Sequence, residues 1–176
     1  MSTQLQLRRD TTANIGAITP AQGEPIYDVS RKALVLGDGA TAGGLCATPF
    51  AGTWTPQLEF GGTIVAGTTA SGVWTQIGNL VFFYYSIQLT AKNGSGGATI
   101  AGLPVVATAQ GGFASVGFWS AMATTPAFNC YVGANSSSMA LGKTGGTAQA
   151  PVLDTDFGTS SLIQGFGWYI AAQPTG

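Results

Sequence analysis

Lys143 lies in Leu141-Gly142-Lys143-Thr144-Gly145-Gly146, and a Gly-Lys-Thr triplet is how a phosphate-cradling loop ends. That loop also needs a glycine five residues ahead of Gly142, and the position holds Ser137, so nucleotide binding is not expected there. Asp154 and Asp156 are two residues apart, a spacing that puts both carboxylates on one face of a strand. With Glu59 they are the only carboxylates after residue 44. Such groups could cleave a glycosidic bond or hold a hard cation. A calcium ion usually gathers more oxygen ligands than these, and a solvated loop before Phe157-Gly158 is the simpler reading. Cys46 and Cys130 fit no metal or redox spacing and read as free, buried thiols. With no histidine in the chain there is no imidazole base, and a serine or cysteine nucleophile would lack its usual partner. The chain is therefore expected to have no catalytic residues, no metal site and no cofactor, and not to be an enzyme.

Binding chemistry is better represented. Neutral sugars are held by stacking on exposed aromatic rings and by hydrogen bonds from amides and hydroxyls. The rings on offer include Trp54, Trp74, Trp119, Trp168, Tyr84, Tyr85, Tyr131 and Tyr169. Trp119 and Tyr131 border polar, small-residue loops, and Asn129, Asn135 and the serines 136–138 lie in such loops. Trp119, Tyr131, Asn129 and Asn135 are thus the candidate ligand-binding residues. Phe82, Phe83 and Phe118 are assigned to the core.

These side chains need elements to hold them, and the elements read as β. The apolar runs are short, rich in Val, Ile, Phe, Tyr, Trp and Thr, and bounded by Gly, Asn or Pro. Strands are expected near 55–60, 73–77, 80–91, 98–102, 113–121, 127–133, 138–142 and 161–172. Several short strands at regular spacing argue for a β-sandwich of jelly-roll type. Residues 79–90 are almost continuously apolar, the pattern of a strand covered on both faces, one by the core and the other by a loop or another subunit. Ahead of these, residues 11–15 fit one helical turn capped by Asp10 or Thr11. Residues 24–39 fit a hairpin with a polar turn at 28–32.

Charge divides the chain. Of its 13 charged residues, only 7% of the sequence, eight fall within residues 1–44. This places a first module at 1–44, a linker at 45–52 and a second domain at 53–176. The first holds too few large apolar side chains for a core of its own and is expected to bury surface against partner chains. So neutral a surface also favours oligomerisation. A net charge of −1 argues against nucleic acid as a partner. The longest apolar run is too short to insert in a membrane, and the N-terminus has no apolar stretch of the kind a signal peptide carries.

Three linked motifs carry a resemblance. Leu7-Arg8-Arg9 with Thr11-Thr12-Ala13, then Gly23-Glu24-Pro25 with Tyr27-Asp28, then Leu36-Gly37-Asp38-Gly39 with Thr41, Gly43 and Gly44, closely resemble the N-terminal domain of phage tropism-determinant and tail-fibre proteins. Residues 53–104 resemble more loosely the C-terminal receptor-binding modules of phage fibres and spikes, through Trp54-Thr55-Pro56, Gly72-Val73-Trp74 and Gly97-Ala98-Thr99-Ile100-Ala101-Gly102-Leu103-Pro104. The resemblance implies an intertwined N-terminal β module that trimerises and attaches to the particle, with Leu5, Leu7, Arg8, Arg9, Tyr27, Asp28 and Asp38 as attachment and trimerisation residues.

The expectation is an all-β, homotrimeric virion fibre or spike protein. It would sit on the surface of a phage or phage-like particle, be made in the host cytoplasm and bind host-cell surface polysaccharide during adsorption. Its partners would be other capsid or tail proteins and a bacterial glycan. The alternatives are a capsid or tail decoration or adaptor that mounts another fibre, and a polysaccharide depolymerase.

Overall fold

The computed structural model describes residues 7–124, 127–145 and 148–171, so Leu5 lies outside the described residues. The chain forms two compact units, one built on the residues up to Phe50 and the other on Ala51–Thr75 with Leu80 onward.

In the first unit, β1 (Arg8–Asp10), the short helix α1 (Thr12–Gly16), β2 (Pro25–Asp28), β3 (Ala33–Leu36) and β4 (Leu45–Cys46) follow in order. They form a four-stranded sheet ordered β1-β2-β3-β4. Thr11 caps α1, its side chain accepting from the Asn14 N–H at 3.4 Å. The expected hairpin is β2–β3, with Lys32 in the left-handed region at its turn (φ 55). β1 adds alongside β2 in parallel, with Arg9 opposite Tyr27. Alternation sends Ile26 and Val35 to one face, where they pack with Ile15 and Ile18. The expected linker at 45–52 is largely strand instead. Leu45–Cys46 pairs with β3, and the Ala47 N–H donates to the Leu34 carbonyl at 2.7 Å, so this backbone is satisfied by the first sheet.

The second unit begins with β5 (Phe50–Trp54), β6 (Gln57–Phe60), β7 (Thr63–Ile64), β8 (Thr68–Ile77), β9 (Leu80–Leu89) and β10 (Ala98–Ala101). It continues with β11 (Ala107–Met122), β12 (Phe128–Val132), β13 (Ser138–Gly145) and β14 (Ala148–Pro151). A 3-10 turn at Asp154–Asp156 then leads into β15 (Phe157–Ala171). The all-β expectation holds. The strands do not separate into two stacked sheets: they join in one eleven-stranded sheet, ordered β5-β8-β9-β15-β11-β12-β13-β10-β6-β7, with β14 on β13. This sheet curls on itself. Phe60 of β6 and Phe157 of β15 are far apart along the strand order, yet their rings lie 5.2 Å apart. β13 makes the bend possible, because one of its edges is shared: Ser138–Ala140 pair with β10, and Gly142–Gly145 pair with β14.

The core fills the inside of the curl. Val81, Phe83, Tyr85, Ile87 and Leu89 of β9 all point inward and are at most 3% exposed. Gly165 and Gly167 of β15 leave room for them, since a Cβ on either would fall on the Tyr85 or the Phe83 ring. Tyr85 donates to the Ser115 carbonyl (3.3 Å), and Tyr169 accepts from the Val105 N–H (3.2 Å). Burial pushes the Tyr169 hydroxyl up to about 12 and Tyr85 well above its usual value. The Cys130 thiol, also buried, is pushed up to about 11 and stays protonated.

Candidate functional site

The outer face of the second unit is organised as one rung across eight strands. Reading the register from β9 to β7, it runs Phe82, Trp168, Phe113, Tyr131, Ala140, Thr99, Glu59, Ile64. One end is aromatic and the other polar. Ala140, the smallest side chain of the rung, stands between Tyr131 and Thr99 and leaves a groove of about 250 Å³ lined also by Gly97, Gly142 and Gln149.

The groove brings an exposed ring beside polar side chains. Tyr131 is 44% exposed, so its ring is free to stack on an apolar sugar face. The Thr99 hydroxyl is held toward the Glu59 carboxylate (3.3 Å), and the Gln149 amide donates to the Asn129 carbonyl at 2.7 Å. Of these, Thr99 and Gln149 line the groove and can hydrogen-bond a hydroxylated ligand, while Glu59 stands beyond Thr99 on the rung. Asn129 and Tyr131 are two apart on β12 and both exposed, so the structure brings these two candidates to one face. Thr99, Glu59 and Gln149 were not legible as partners, because only the strand register places them beside Tyr131.

The other two candidates lie elsewhere. Asn135 sits in the turn between β12 and β13 in the left-handed region (φ 54), its N–H bonded to the Thr108 carbonyl at the start of β11. Its role there is to make the turn. Trp119 is eleven residues further along β11, roughly 30 Å away at strand rise. A bulge decides its direction. Val116 pairs with Gly165 and Phe118 with Gln164, so Gly117 is an extra residue. Counting by twos from the exposed Phe113 would turn Trp119 outward and Phe118 inward. With the bulge, Trp119 lies opposite buried Ile163 yet is still 38% exposed, and Phe118 is turned out, 51% exposed. The assignment of Phe118 to the core is corrected accordingly. Phe82 is corrected too, being 44% exposed, whereas Phe83 is buried as expected.

The carboxylates after residue 44 form no pair. Asp156 is buried and accepts from Lys143 (2.6 Å), Thr124 (2.7 Å) and the Leu153 N–H (2.8 Å). Burial acts to raise its pKa, but these donors together outweigh it and hold the carboxyl below its usual range. Asp154 instead accepts from the Gly96 N–H at 2.8 Å. Both brace the turn into β15, and among the described residues no cluster of three metal-ligating side chains occurs.

In the first unit the motif residues are largely internal wiring. Arg8 pairs with Glu24 (3.2 Å). Asp28 is fully buried and accepts from Thr12 (2.6 Å) and from the Ser30 and Arg31 N–H groups, tying α1 to the hairpin. Asp38 accepts from the Thr41 hydroxyl (2.6 Å) and from the Thr41 and Ala40 N–H groups, which bring its carboxyl down to about 2. Leu7, Arg9 and Tyr27 are exposed, with Arg9 opposite Tyr27 across the first two strands. Of the expected attachment residues these three and Arg8 are exposed, while Asp28 and Asp38 shape the module.

Residues 5–41 match the family model described as the major tropism determinant N-terminal domain. The resemblance drawn from the three linked motifs therefore holds over that segment. A solved structure, "Crystal structure of Dettilon tailspike protein", matches with a TM-score of 0.61 at 16% identity, over 69% of this chain and 24% of that one. This likeness is one of fold, and the chain spans about a quarter of the tailspike's length (24%). No curated protein matches.

Proposed function

We propose that the chain is a virion fibre or spike protein of a phage, engaged in host recognition. Its first unit attaches it to the particle and helps form a homotrimer, and its second unit binds host-cell surface polysaccharide. The match of residues 5–41 to a tropism-determinant domain carries this reading. The exposed Leu7, Arg9 and Tyr27 of the first unit fit the attachment role.

The sugar-binding part rests on the groove, where one exposed ring, Tyr131, meets the Thr99 hydroxyl and the Gln149 amide. A site this shallow binds a single sugar weakly, and several copies per particle would multiply that affinity. The protein acts by adhesion and cleaves nothing. Incubation with host capsule should release no reducing ends.

Binding of the labelled full chain to intact host cells and to their purified surface polysaccharide tests the proposal. Both should bind it, and Tyr131→Ala should weaken binding about tenfold or more while the far-ultraviolet dichroism is kept. Binding to neither cells nor polysaccharide would favour the adaptor reading and overturn this one.

A further inference from the structure

A second recess opens between β5, β8 and β9, which are neighbours in the sheet. Its volume is about 390 Å³, against about 250 Å³ for the Tyr131 groove, which brings it into the range of small-ligand sites. Thr53, Thr55, Ser71 and Tyr84 line it, and all four are exposed. Their hydroxyls make no hydrogen bond to any described residue. The Tyr84 ring, 40% exposed, is open to a ligand.

The recess has a fixed floor. Trp54 of β5 lies over Gly72 of β8, where a Cβ would fall on the indole. The indole N–H donates to the Tyr84 carbonyl at 3.2 Å, and the ring meets Phe83 edge-on with centroids 6.0 Å apart. The backbone that carries the Tyr84 ring is thereby tied to β5, so ring and hydroxyls are held in place before any ligand arrives.

The lining selects the ligand. β5, β8 and β9 contain no Asp, Glu, Lys or Arg. A charged ligand would lose water here and find no opposite charge. An apolar ligand would strip water from the free hydroxyls and replace none of their hydrogen bonds. A neutral pyranose meets both demands. Its apolar face stacks on the Tyr84 ring, and its hydroxyls exchange hydrogen bonds with Thr53, Thr55 and Ser71.

We propose that this recess is a second glycan site of the second unit, taking a neutral sugar unit. β15 and β11 stand between β9 and β12, so three strand spacings, roughly 15 Å, separate Tyr84 from Tyr131. One sugar ring cannot touch both. The proposal rests on the adhesion reading for its class of ligand but does not need the Tyr131 groove.

Hydroxyl-radical footprinting of the purified full chain, with short oligosaccharides cut from the host's neutral surface polysaccharide as the probe, tests it. A seated sugar covers most of the ring, so Tyr84 oxidation should fall about threefold or more at saturation. Val106, 56% exposed and outside both sites, should not change. The protection of Tyr84 should persist in Tyr131→Ala. Ser71→Val keeps a strand-forming residue and removes one hydroxyl, and should raise the concentration that half-protects Tyr84 about threefold or more. Tyr84 oxidised equally with and without the oligosaccharides would overturn the proposal. So would protection that disappears in Tyr131→Ala, or that Ser71→Val leaves unmoved. Protection of Tyr84 with none at Tyr131 would uphold this site and overturn the groove reading, and the reverse result would do the opposite.

Discussion

The Lys143 ammonium donates to Oδ2 of Asp156 at 2.6 Å, joining the middle of β13 to the turn that launches β15. Asp156 is only 3% exposed, so its charge depends on that partner and on Thr124 and the Leu153 N–H. Removing one side of a buried pair leaves the other uncompensated. Asp156→Ala should therefore cost about 3 kcal/mol in urea unfolding. Lys143→Ala should cost less, because two donors to Asp156 remain.

Gly165 and Gly167 leave room for the Tyr85 and Phe83 rings of the neighbouring strand β9. Alanine at either puts a methyl group onto the Tyr85 or Phe83 ring. Each substitution should lower stability by about 1–3 kcal/mol, the range for overpacking a filled core. Thermal unfolding monitored by near-ultraviolet dichroism would report it.

Stability should be nearly flat between pH 5 and 8, since the chain has no histidine. Asp38, Asp156, Asp10 and Glu24 have folded pKa values below their ordinary ones. In acid the unfolded chain then binds more protons than the folded one. The stability these groups supply is complete above about pH 5 and drains away as pH falls toward 2. Tyr85, Tyr169 and Cys130 are displaced upward. The unfolded state releases their protons first, so stability should fall as pH rises past about 9. Tm measured across pH 2 to 11 should trace this plateau with two falling shoulders.

Local pattern was legible and pairing was not. The hairpin in residues 24–39, the Thr11 cap and a strand along the apolar run of β9 each appear where residue type places them, although the outer face of β9 is not covered. β9 has an inward set that is buried and an outward set, Phe82 and Tyr84, that stays open. Phe118, expected in the core, is turned out because a single extra residue, Gly117, shifts the register, while Trp119 is exposed as well. A sequence read by twos cannot register that shift. The short strands β4, β7 and β14 carry too few residues to show any period. In the groove, Tyr131 and Asn129 were legible as ring and amide beside small residues. Thr99, Glu59 and Gln149 reach them only through the pairing of β12, β13, β10, β6 and β14.

The most direct test of host recognition is competition. Host cells saturated with the purified full chain are mixed with particles that carry it, and free particles are counted over time. The account predicts that adsorption slows about tenfold or more, and that the Tyr131→Ala chain at the same concentration restores most of the rate. Adsorption unchanged at saturating wild-type protein would contradict it.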